Sequence, residues 1–225
     1  QNVGADVRCV AVSVGDGPNL EARARAARYA ALPADVLTGH TADDQAETVL
    51  VNLLRGAGTS GLAGMRPDRR RPMLALRRSD TVGLCAALGI TTVADPSNLD
   101  PRHLRNRVRH ELLPLMADLA HRDLVPVLAR QAQVLRHDDD LLDQLASALD
   151  PTDARALAAA PLPLARRAVR AWLTLEHPPD LATVDRVLDV ARGDAVATDV
   201  GDGRRVSRHQ QMLRLAPSAR SSQSE

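Results

Sequence analysis

Aromatic residues are almost missing from this chain of 225 residues, which contains one Trp, one Tyr and no Phe. Trp172 and Tyr29 cannot by themselves fill a core, although 44% of the residues are hydrophobic. The core has to be built mainly from Leu, Val and Ala, a set that favours helices. Because aromatic rings are so few, stacking of bases on aromatic side chains is excluded as a main mode of nucleic-acid binding.

The charged residues nearly cancel, because 29 basic residues, all of them arginine, stand against 28 acidic residues. A formal net charge of +1 predicts no partner, so only local clusters of charge are informative. Cys9 and Cys85 lie far apart and outside any CxxC pair, which argues against a disulfide framework or a cysteine-bound metal. No segment has the apolar length that crosses a bilayer. We therefore expect a cytoplasmic protein without a membrane partner.

Residues 1–115 alternate strand-like and helix-like segments, the order typical of a parallel α/β sheet. Asn19 is predicted to cap the first helix. Thr41 is predicted to cap the second, with Asp44 three residues later as its capping-box partner, and Gly56 to end it. The expected strands are 7–14 and 35–40, and the expected helices are 20–32, 41–55 and 79–88.

Beyond Pro101 the sequence changes to helical patterns with few strand signals. The helices are expected at about 102–120, 123–149, 161–176 and 180–192, followed by a hairpin from 196–200 and 204–215. The predicted fold is therefore a Rossmann-like parallel sheet in residues 1–115, followed by an all-helical domain with a terminal hairpin in residues 116–217. The Ser-rich tail, 218–225, is expected to be disordered.

The segment GHTADDQAET, residues 39–48, lies where a strand is expected to end and a helix to begin. Ligands of open α/β sheets bind beyond the carboxyl ends of the strands, so this is the expected place for a site. On a helix, Asp44 and Glu47 lie one turn apart and are predicted to point together away from the core. Acids in the first turn of a helix are also common as partners of its dipole, and the spacing alone leaves both interpretations open.

The same segment resembles a metal-ligand set, because His40, Asp43 and Asp44 are residue types found together in metallohydrolases. No second group of histidines and carboxylates lies nearby in the sequence. Local hydrogen bonding of His40 is therefore the simpler interpretation, and no metal ligands are predicted.

A second candidate lies on the helix expected from about residue 102, where Arg102, Arg105, Asn106 and Arg109 form one polar stripe. Stacked guanidinium groups repel one another unless an anion lies across them, and they suit phosphate or carboxylate. A solvated helix face is the alternative interpretation. The opposite stripe is apolar and consists of Leu104, Val108, Leu112 and Leu115.

A third candidate is the arginine-rich loop RPDRRRPMLALRR, residues 66–78. Loops of this kind grip nucleic-acid backbones. They are also common in proteins that use arginine throughout, so the loop carries little weight alone.

Several segments, taken in order, resemble the tRNA(Ile)-lysidine synthetase family of the N-type ATP pyrophosphatase (PP-loop) superfamily. They are NLEARARAARYAAL, GHTADDQAETVLVNLLRGAGTSGLAGMRP, RPMLALRR, DPSN and RNRVRHELLP. The resemblance is strong over residues 19–115 and continues in the order of the helices beyond them. The pair GHxADDQxET and RNxxRHELLP is far more specific than either element alone.

The resemblance implies an ATP-dependent ligase that modifies the wobble cytidine of an isoleucine tRNA with a CAU anticodon. ATP, bound with Mg²⁺, adenylates the C2 oxygen and releases pyrophosphate, and the ε-amine of free lysine then displaces AMP to form lysidine. Asp44 and Glu47 are implied to hold the lysine ammonium, a role that paired carboxylates suit. His40, Arg105 and Arg109 are implied to be catalytic groups near the nucleotide and the reacting cytidine. Contacts to ATP or tRNA are implied for Gly39, Arg55, Arg102 and Asn106.

Three features depart from the family pattern. One is that the sequence ends after the expected helical domain, where larger members carry an extra tRNA-binding domain. The SGGxDS loop, whose backbone N–H groups cradle phosphate, is not among the 225 residues. We therefore expect the chain to be part of a longer enzyme and to be inactive without that loop. Thr41 stands where many relatives carry a second histidine.

Three other functions were weighed against this one. A tRNA thiolation enzyme of the same superfamily needs reactive cysteines, whereas Cys9 and Cys85 have the pattern of buried strand and helix residues. A non-catalytic RNA-binding module would use the arginine-rich loop and the helical domain. A metal-dependent hydrolase would bind a transition metal tightly through His40, Asp43 and Asp44.

Overall fold

The computed structural model describes residues 8–15, 17, 20–93, 95, 98, 100–175 and 177–218. The chain divides into two compact units, with the division after Arg136. None of the described helices combines the length and the apolar composition that a membrane crossing requires. Asn19, Val7 and the tail 219–225, for which the sequence makes predictions, lie outside the described residues.

The described part of the first unit consists of helices and loops. The helices are α1 (Leu20–Ala31), α2 (Ala42–Leu54), α3 (Thr59–Leu62), α4 (Arg78–Ala87), α5 (Leu104–Arg107) and α6 (Leu113–Ala120), and α7 (Val125–Ala146) begins in this unit. The positions predicted for α1, α2 and α4 are confirmed to within about two residues. The division after Arg136 comes later than the boundary predicted near residue 115, because Met116 and Leu128 still pack against the core of α2.

The predicted parallel sheet is not found among the described residues of this unit. Residues 8–14 and 35–40 form no strand, and Val10, Val12 and Leu37 are exposed. A strand of a parallel sheet is covered on both faces and is therefore buried, which these segments are not. Cys9, predicted to be a buried strand residue, is also exposed, and Cys85 is half-buried.

Helix α2 begins as the sequence predicts. The backbone N and the Oγ1 of Thr41 both donate to Asp44 Oδ2, at 2.8 and 2.9 Å. The helix ends at Leu54, and Gly56 follows with φ +76°, a conformation that costs glycine nothing. One face of the helix is buried through Ala42, Ala46, Val49, Leu50 and Val51.

The helix predicted from 102 to 120 is interrupted by a π-helical turn, Val108–Leu112, between α5 and α6. The N–H of Leu113 donates to the carbonyl of Val108, five residues earlier. Pro114 explains the wider turn, because it has no N–H and its ring clashes with the carbonyl four residues before it.

The π-turn moves the apolar stripe by one position along the chain. Leu113 and Met116 pack beside Val108 and Leu50 in the core, whereas Leu115 is 55% exposed. The prediction that Leu115 belongs to the buried stripe is therefore wrong. The regular spacing of a helix does not hold across an inserted residue.

The second unit packs helices against a small sheet. It contains α8 (Ala154–Ala159), α9 (Leu162–Leu173), α10 (Leu181–Arg192), β1 (Ala197–Gly201), β2 (Arg204–His209) and β3 (Met212–Pro217). The strands pair antiparallel in the order β1, β2, β3. Val200, Val206 and Leu213 of the sheet join the helices in one buried core. An all-helical domain is therefore not what the chain forms here.

The sheet has three strands because the arm predicted at 204–215 turns back on itself. Gln210 and Gln211 both have positive φ, 47° and 68°, and connect β2 to β3. Two-residue hairpin turns of this kind usually contain glycine or asparagine, so two glutamines give no turn signal in the sequence.

Replacement of a core leucine in α10 is expected to destabilise the second unit. Leu188 is 1% exposed, so Leu188→Ala removes buried apolar atoms and should lower the free energy of unfolding by about 2 to 5 kcal/mol. Leu181→Ala, at the exposed start of the same helix, is the matched control and should change it by less than about 1 kcal/mol. Urea unfolding of both variants checks this, and equal losses would contradict the assigned core.

Candidate active site

Five charged side chains of the first unit meet beside α2, and we call them the ion-pair cluster. They are Asp44 and Glu47 of α2, Arg78 at the start of α4, Arg105 of α5 and Arg109 of the π-turn. The sequence places these residues in three separate segments. The packing of α2 against α5 and the π-turn brings two of those segments together.

Glu47 is the centre of the cluster, and its side chain is only 1% exposed. Arg109 grips it with two hydrogen bonds, from Nε to Oε1 at 2.7 Å and from Nη2 to Oε2 at 3.0 Å. Arg105 Nε donates to Oε2 at 2.8 Å, and Arg78 Nη2 donates to Oε1 at 3.0 Å. Both carboxylate oxygens are therefore held by guanidinium groups, the geometry that makes charge-assisted hydrogen bonds strong.

Asp44 lies one turn earlier and shares the same arginines. Its Oδ1 accepts from Arg78 Nη2 at 3.0 Å and from Arg105 Nη2 at 3.3 Å, and Arg109 Nη2 lies 3.5 Å away. Its other oxygen accepts the capping bonds from Thr41. The two acids do point together, as predicted, but Glu47 is buried rather than turned to solvent.

The cluster keeps both carboxylates ionised. Burial by itself raises the pKa of Glu47, but the hydrogen bonds and positive charges of Arg109 and Arg105 outweigh it and lower that pKa. Burial likewise raises the pKa of Asp44, and the bonds from Thr41 with the charges of Arg78 and Arg105 lower it overall. In return, its bonds to Glu47 raise the pKa of Arg109.

The cluster retains one unit of positive charge, since three guanidinium groups face two carboxylates. The side chains of Arg78, Arg105 and Arg109 remain between 23% and 35% exposed, so a ligand can reach them. The anion that the stacked arginines require is supplied from within the chain by Asp44 and Glu47. A bound anion would add to this arrangement, and a bound cation would compete with the arginines for the acids.

A second group of ion pairs adjoins the cluster. Asp43 accepts from Arg77 Nε and Nη2, both at 3.2 Å, and from the backbone N of Arg78 at 2.7 Å. Arg77 also forms a hydrogen bond with Asp123 in the loop before α7. The pKa of Asp43 is lowered, because these bonds and the charge of Arg77 exceed the opposing effect of burial.

A cavity of about 200 Å³ opens between these charged groups and α6. One part of its wall is charged and includes Glu47, Arg109 and Asp123. The other part is apolar and includes Leu113 and Ala117. A long aliphatic chain with a charged end suits such a mixed wall.

His40 and Gly39 lie immediately before α2, at the edge of the cluster. His40 Nδ1 forms a hydrogen bond of 2.8 Å with Thr38 Oγ1, and Thr38 Oγ1 and N donate to the carbonyl of Arg70 at 3.1 and 2.7 Å. A Cβ on Gly39 would meet Met73 Cε at 3.1 Å. The segment is thus tied to the arginine-rich loop.

Three other predicted site residues have their contacts elsewhere. Arg102 precedes α5 and pairs with Asp100, whose pKa it lowers to about 2. Asn106 is buried and donates to the carbonyl of Asp100 at 2.9 Å. Arg55 caps α2 eight residues after Glu47, about 12 Å along the helix axis. The predicted stripe of four polar residues is therefore reduced to Arg105 and Arg109, because the helix begins only at Leu104 and turns π-helical at Val108.

Arg77 and Arg78 were not singled out from the sequence as site residues, although both lie in the RPMLALRR segment. Their signal is the pair of arginines at the start of a helix that carries an acid, Asp80, at its third position: Arg77 caps this helix and Arg78 is its first residue. Within the described part of the chain, no three side chains of His, Cys, Asp or Glu are grouped as a metal site requires.

Comparison with known proteins gives the class first. Residues 1–116 match the PP-loop domain family, and this match covers half of the chain. The fold class predicted for this part is therefore correct at the level of the family.

Similar curated proteins give the family within that class, and each is named tRNA(Ile)-lysidine synthase. The protein of Mycobacterium leprae is 46% identical over 187 residues, which cover 76% of this chain and 58% of the relative. That of Nocardia farcinica is 44% identical over 216 residues, 87% of this chain and 68% of the relative. That of Cutibacterium acnes is 39% identical over 228 residues, 94% of this chain and 72% of the relative. The chain belongs to the tRNA(Ile)-lysidine synthase family, and it spans 58% to 72% of the length of these relatives.

The ion-pair cluster predicts how stability depends on pH. Because folding lowers the pKa values of Asp43, Asp44 and Glu47, their stabilisation is complete above their ordinary values of 3.8 to 4.5. It is lost as the pH falls through the lower values of the folded state. Glu47→Gln should make the free energy of unfolding fall less steeply as the pH is lowered. It should also lower this free energy at pH 7 by about 2 kcal/mol, since three arginines lose their main partner. Urea unfolding from pH 7 to pH 3 measures both effects.

Glu111→Gln is the matched control, because Glu111 forms an exposed surface pair with Arg107. It should leave the pH dependence of the free energy of unfolding unchanged. An equal effect of the two substitutions would show that Glu47 contributes no more than a surface acid.

Proposed function

We propose that this chain is the part of an ATP-dependent ligase that joins free lysine to C2 of the wobble cytidine in tRNA(Ile) with a CAU anticodon. The proposal rests on the family and on the ion-pair cluster, whose acids and arginines share one small site. Thiolation is not favoured, because the similar proteins are all named for lysidine formation. We propose the cytoplasm as the place of this reaction.

The cluster suits a ligand that carries both charges. We propose that the lysine ammonium binds Asp44 and Glu47, while an anionic group, either the lysine carboxylate or the adenylate phosphate, binds Arg105 and Arg109. On binding, the ion pairs within the cluster would be replaced by ion pairs between the cluster and the ligand, so that each side chain keeps a partner of opposite charge. Such an exchange lowers the cost of desolvation, because the carboxylates of Asp44 and Glu47 are already largely out of water and oriented by the arginines.

The nucleotide would enter beside Gly39 and His40, where backbone and imidazole groups lie at the start of α2. ATP supplies the adenylyl group that makes the C2 oxygen of the cytidine a leaving group. Asp43, Asp44 and Glu47 are all engaged by guanidinium groups, so we propose that Mg²⁺ arrives on the phosphates of the nucleotide. The contribution of this chain is to orient the lysine amine and to hold the negative charge that develops at the reacting atoms.

The division of charge favours the first unit as the surface for tRNA phosphates. Residues 1–136 hold 18 arginines and 14 acidic residues, whereas residues 137–225 hold 11 arginines and 14 acidic residues. Arg69, in the arginine-rich loop, is exposed, and no described acid pairs with it. The segment 116–217, for which the family resemblance also implies contact with tRNA, would then contribute shape more than charge.

The role of Asp44 is tested by Asp44→Asn, which removes a charge without a change in size. The substitution should raise the KM for lysine by about tenfold or more, corresponding to about 1 to 3 kcal/mol of charge-assisted hydrogen bonding. Release of pyrophosphate from ATP with tRNA alone should persist. The two assays are made in a chimera in which this chain replaces the matching 211 residues of the Mycobacterium tuberculosis relative.

Asp118→Asn, on the exposed side of α6, is the control and should change neither assay. Equal loss in both assays for Asp44→Asn would instead place Asp44 at the nucleotide or in the fold. A chimera with no lysine incorporation, although it is folded, would contradict the proposed function.

The proposed tRNA surface predicts a change in salt dependence. Arg69→Gln should reduce the slope of log Kd for tRNA against log salt by about 1, because one phosphate contact is lost. Arg155→Gln, an exposed arginine of the second unit, should leave the slope unchanged. Filter binding of tRNA(Ile) between 50 and 200 mM salt, roughly the range where such slopes are large, makes the comparison. If Arg155→Gln alone changes the slope, the second unit holds the tRNA.

A further inference from the structure

The helical segment that carries Arg105 and Arg109 contains an apolar stripe that leaves the core after Leu112. The regular stripe consists of Leu104, Val108, Leu112, Leu115 and Leu119; its first three members lie in the core, but Leu115 and Leu119 are 55% and 72% exposed. Beyond Leu112, the residues that pack in the core are Leu113 and Met116 instead. The spacing of the apolar residues would therefore also fit an uninterrupted α-helix. A local feature of the chain must select the stripe that is shifted by one residue.

Pro114 is the residue that makes the continuous helix unfavourable. In an α-helix its missing N–H would leave the carbonyl of His110 without a partner, and its ring would clash with that carbonyl. The π-turn avoids this clash by inserting one residue, so that the N–H of Leu113 reaches the carbonyl of Val108. One inserted residue rotates everything after it by about 100° relative to everything before it.

The two parts of this helix both serve the site. Arg105 and Arg109, before and within the π-turn, grip Glu47. Leu113 and Ala117, after the turn, form part of the apolar wall of the cavity beside Glu47 and Arg109. In a continuous helix, where four residues advance the direction by about 40°, these two sets would face directions about 80° apart, and the inserted residue removes most of this difference.

We propose that Pro114 is a positioning residue for the site: through the π-turn, it sets the rotation between the arginines that hold Glu47 and the cavity wall that faces them. Pro114 acts through Arg109 and Leu113. The effect on lysine use rests on the function proposed above, whereas the rotation itself does not.

The rotation is tested through the stability of truncated apolar side chains. In the wild-type background, Met116→Ala should lower the urea midpoint clearly, and Leu119→Ala should hardly change it, because only Met116 packs in the core. In a Pro114→Ala background the order should reverse, because the regular stripe can then turn inwards. Pro126→Ala, in the first turn of α7 where a proline breaks no helical bond, is the matched control and should leave the order as it is.

Deletion of His110 is the rescue. His110 is exposed in the π-turn, and its removal from the Pro114→Ala variant makes the step from Val108 to Leu113 four residues, the spacing of an α-helix. This double variant should fold, restore the wild-type order of Met116→Ala and Leu119→Ala, and keep Arg109 on Glu47. If it fails to fold, or if Pro114→Ala leaves the order unchanged, the proposal is overturned.

Lysine incorporation adds an independent readout. Pro114→Ala should raise the KM for lysine by about tenfold or more, since small displacements of positioned groups are costly, and deletion of His110 should return it towards the wild-type value. If the order of Met116→Ala and Leu119→Ala reverses but neither the wild type nor any variant incorporates lysine, the proposed function is refuted and the rotation is still established. Activity that Pro114→Ala does not change would refute the positioning role.

Discussion

A single buried carboxylate organises the first unit. Glu47 is enclosed by Arg78 at the start of α4 and by Arg105 and Arg109, which lie one turn apart in the segment formed by α5 and the π-turn. Removal of the arginines would leave the charge of Glu47 buried without compensation, which is far more costly than the loss of a surface pair. The loop before α4, the start of α5 and the π-turn are therefore held to α2 by the same charges that form the site.

The same charged side chains of the cluster therefore stabilise the fold and are available to bind a ligand. A ligand with a cation must compete with three arginines, and a ligand with an anion is attracted by the one positive charge that remains. A molecule with both groups satisfies every member of the cluster at once. The count of charges by itself favours an anionic group over a simple cation, and the proposed binding of lysine together with a phosphate is compatible with it.

The local geometry of the cluster follows from the sequence where both partners lie within a few residues, and does not where the chain returns from a distance. Thr41 and Asp44 form the expected capping box because both partners lie within one turn. Arg78 was not predicted as a site residue, since its partner Glu47 is 31 residues away and no local spacing connects them. The parallel sheet was predicted from alternation of segments, but alternation does not tell whether a segment finds a neighbour to pair with.

The sequence by itself determined the positions of α1, α2, α4 and α10, the capping of α2, the family of the chain and the need of the stacked arginines for an anion. These follow from periodicity, from capping chemistry and from repulsion between like charges, all of which act over a few residues. Only the tertiary structure decided which anion the arginines meet, and only the structure shows that the buried apolar stripe shifts by one residue after Leu112. Glu47 reaches the arginines by packing of distant segments, and Pro114 shifts the helix by one residue through a backbone clash that side-chain spacing does not reveal.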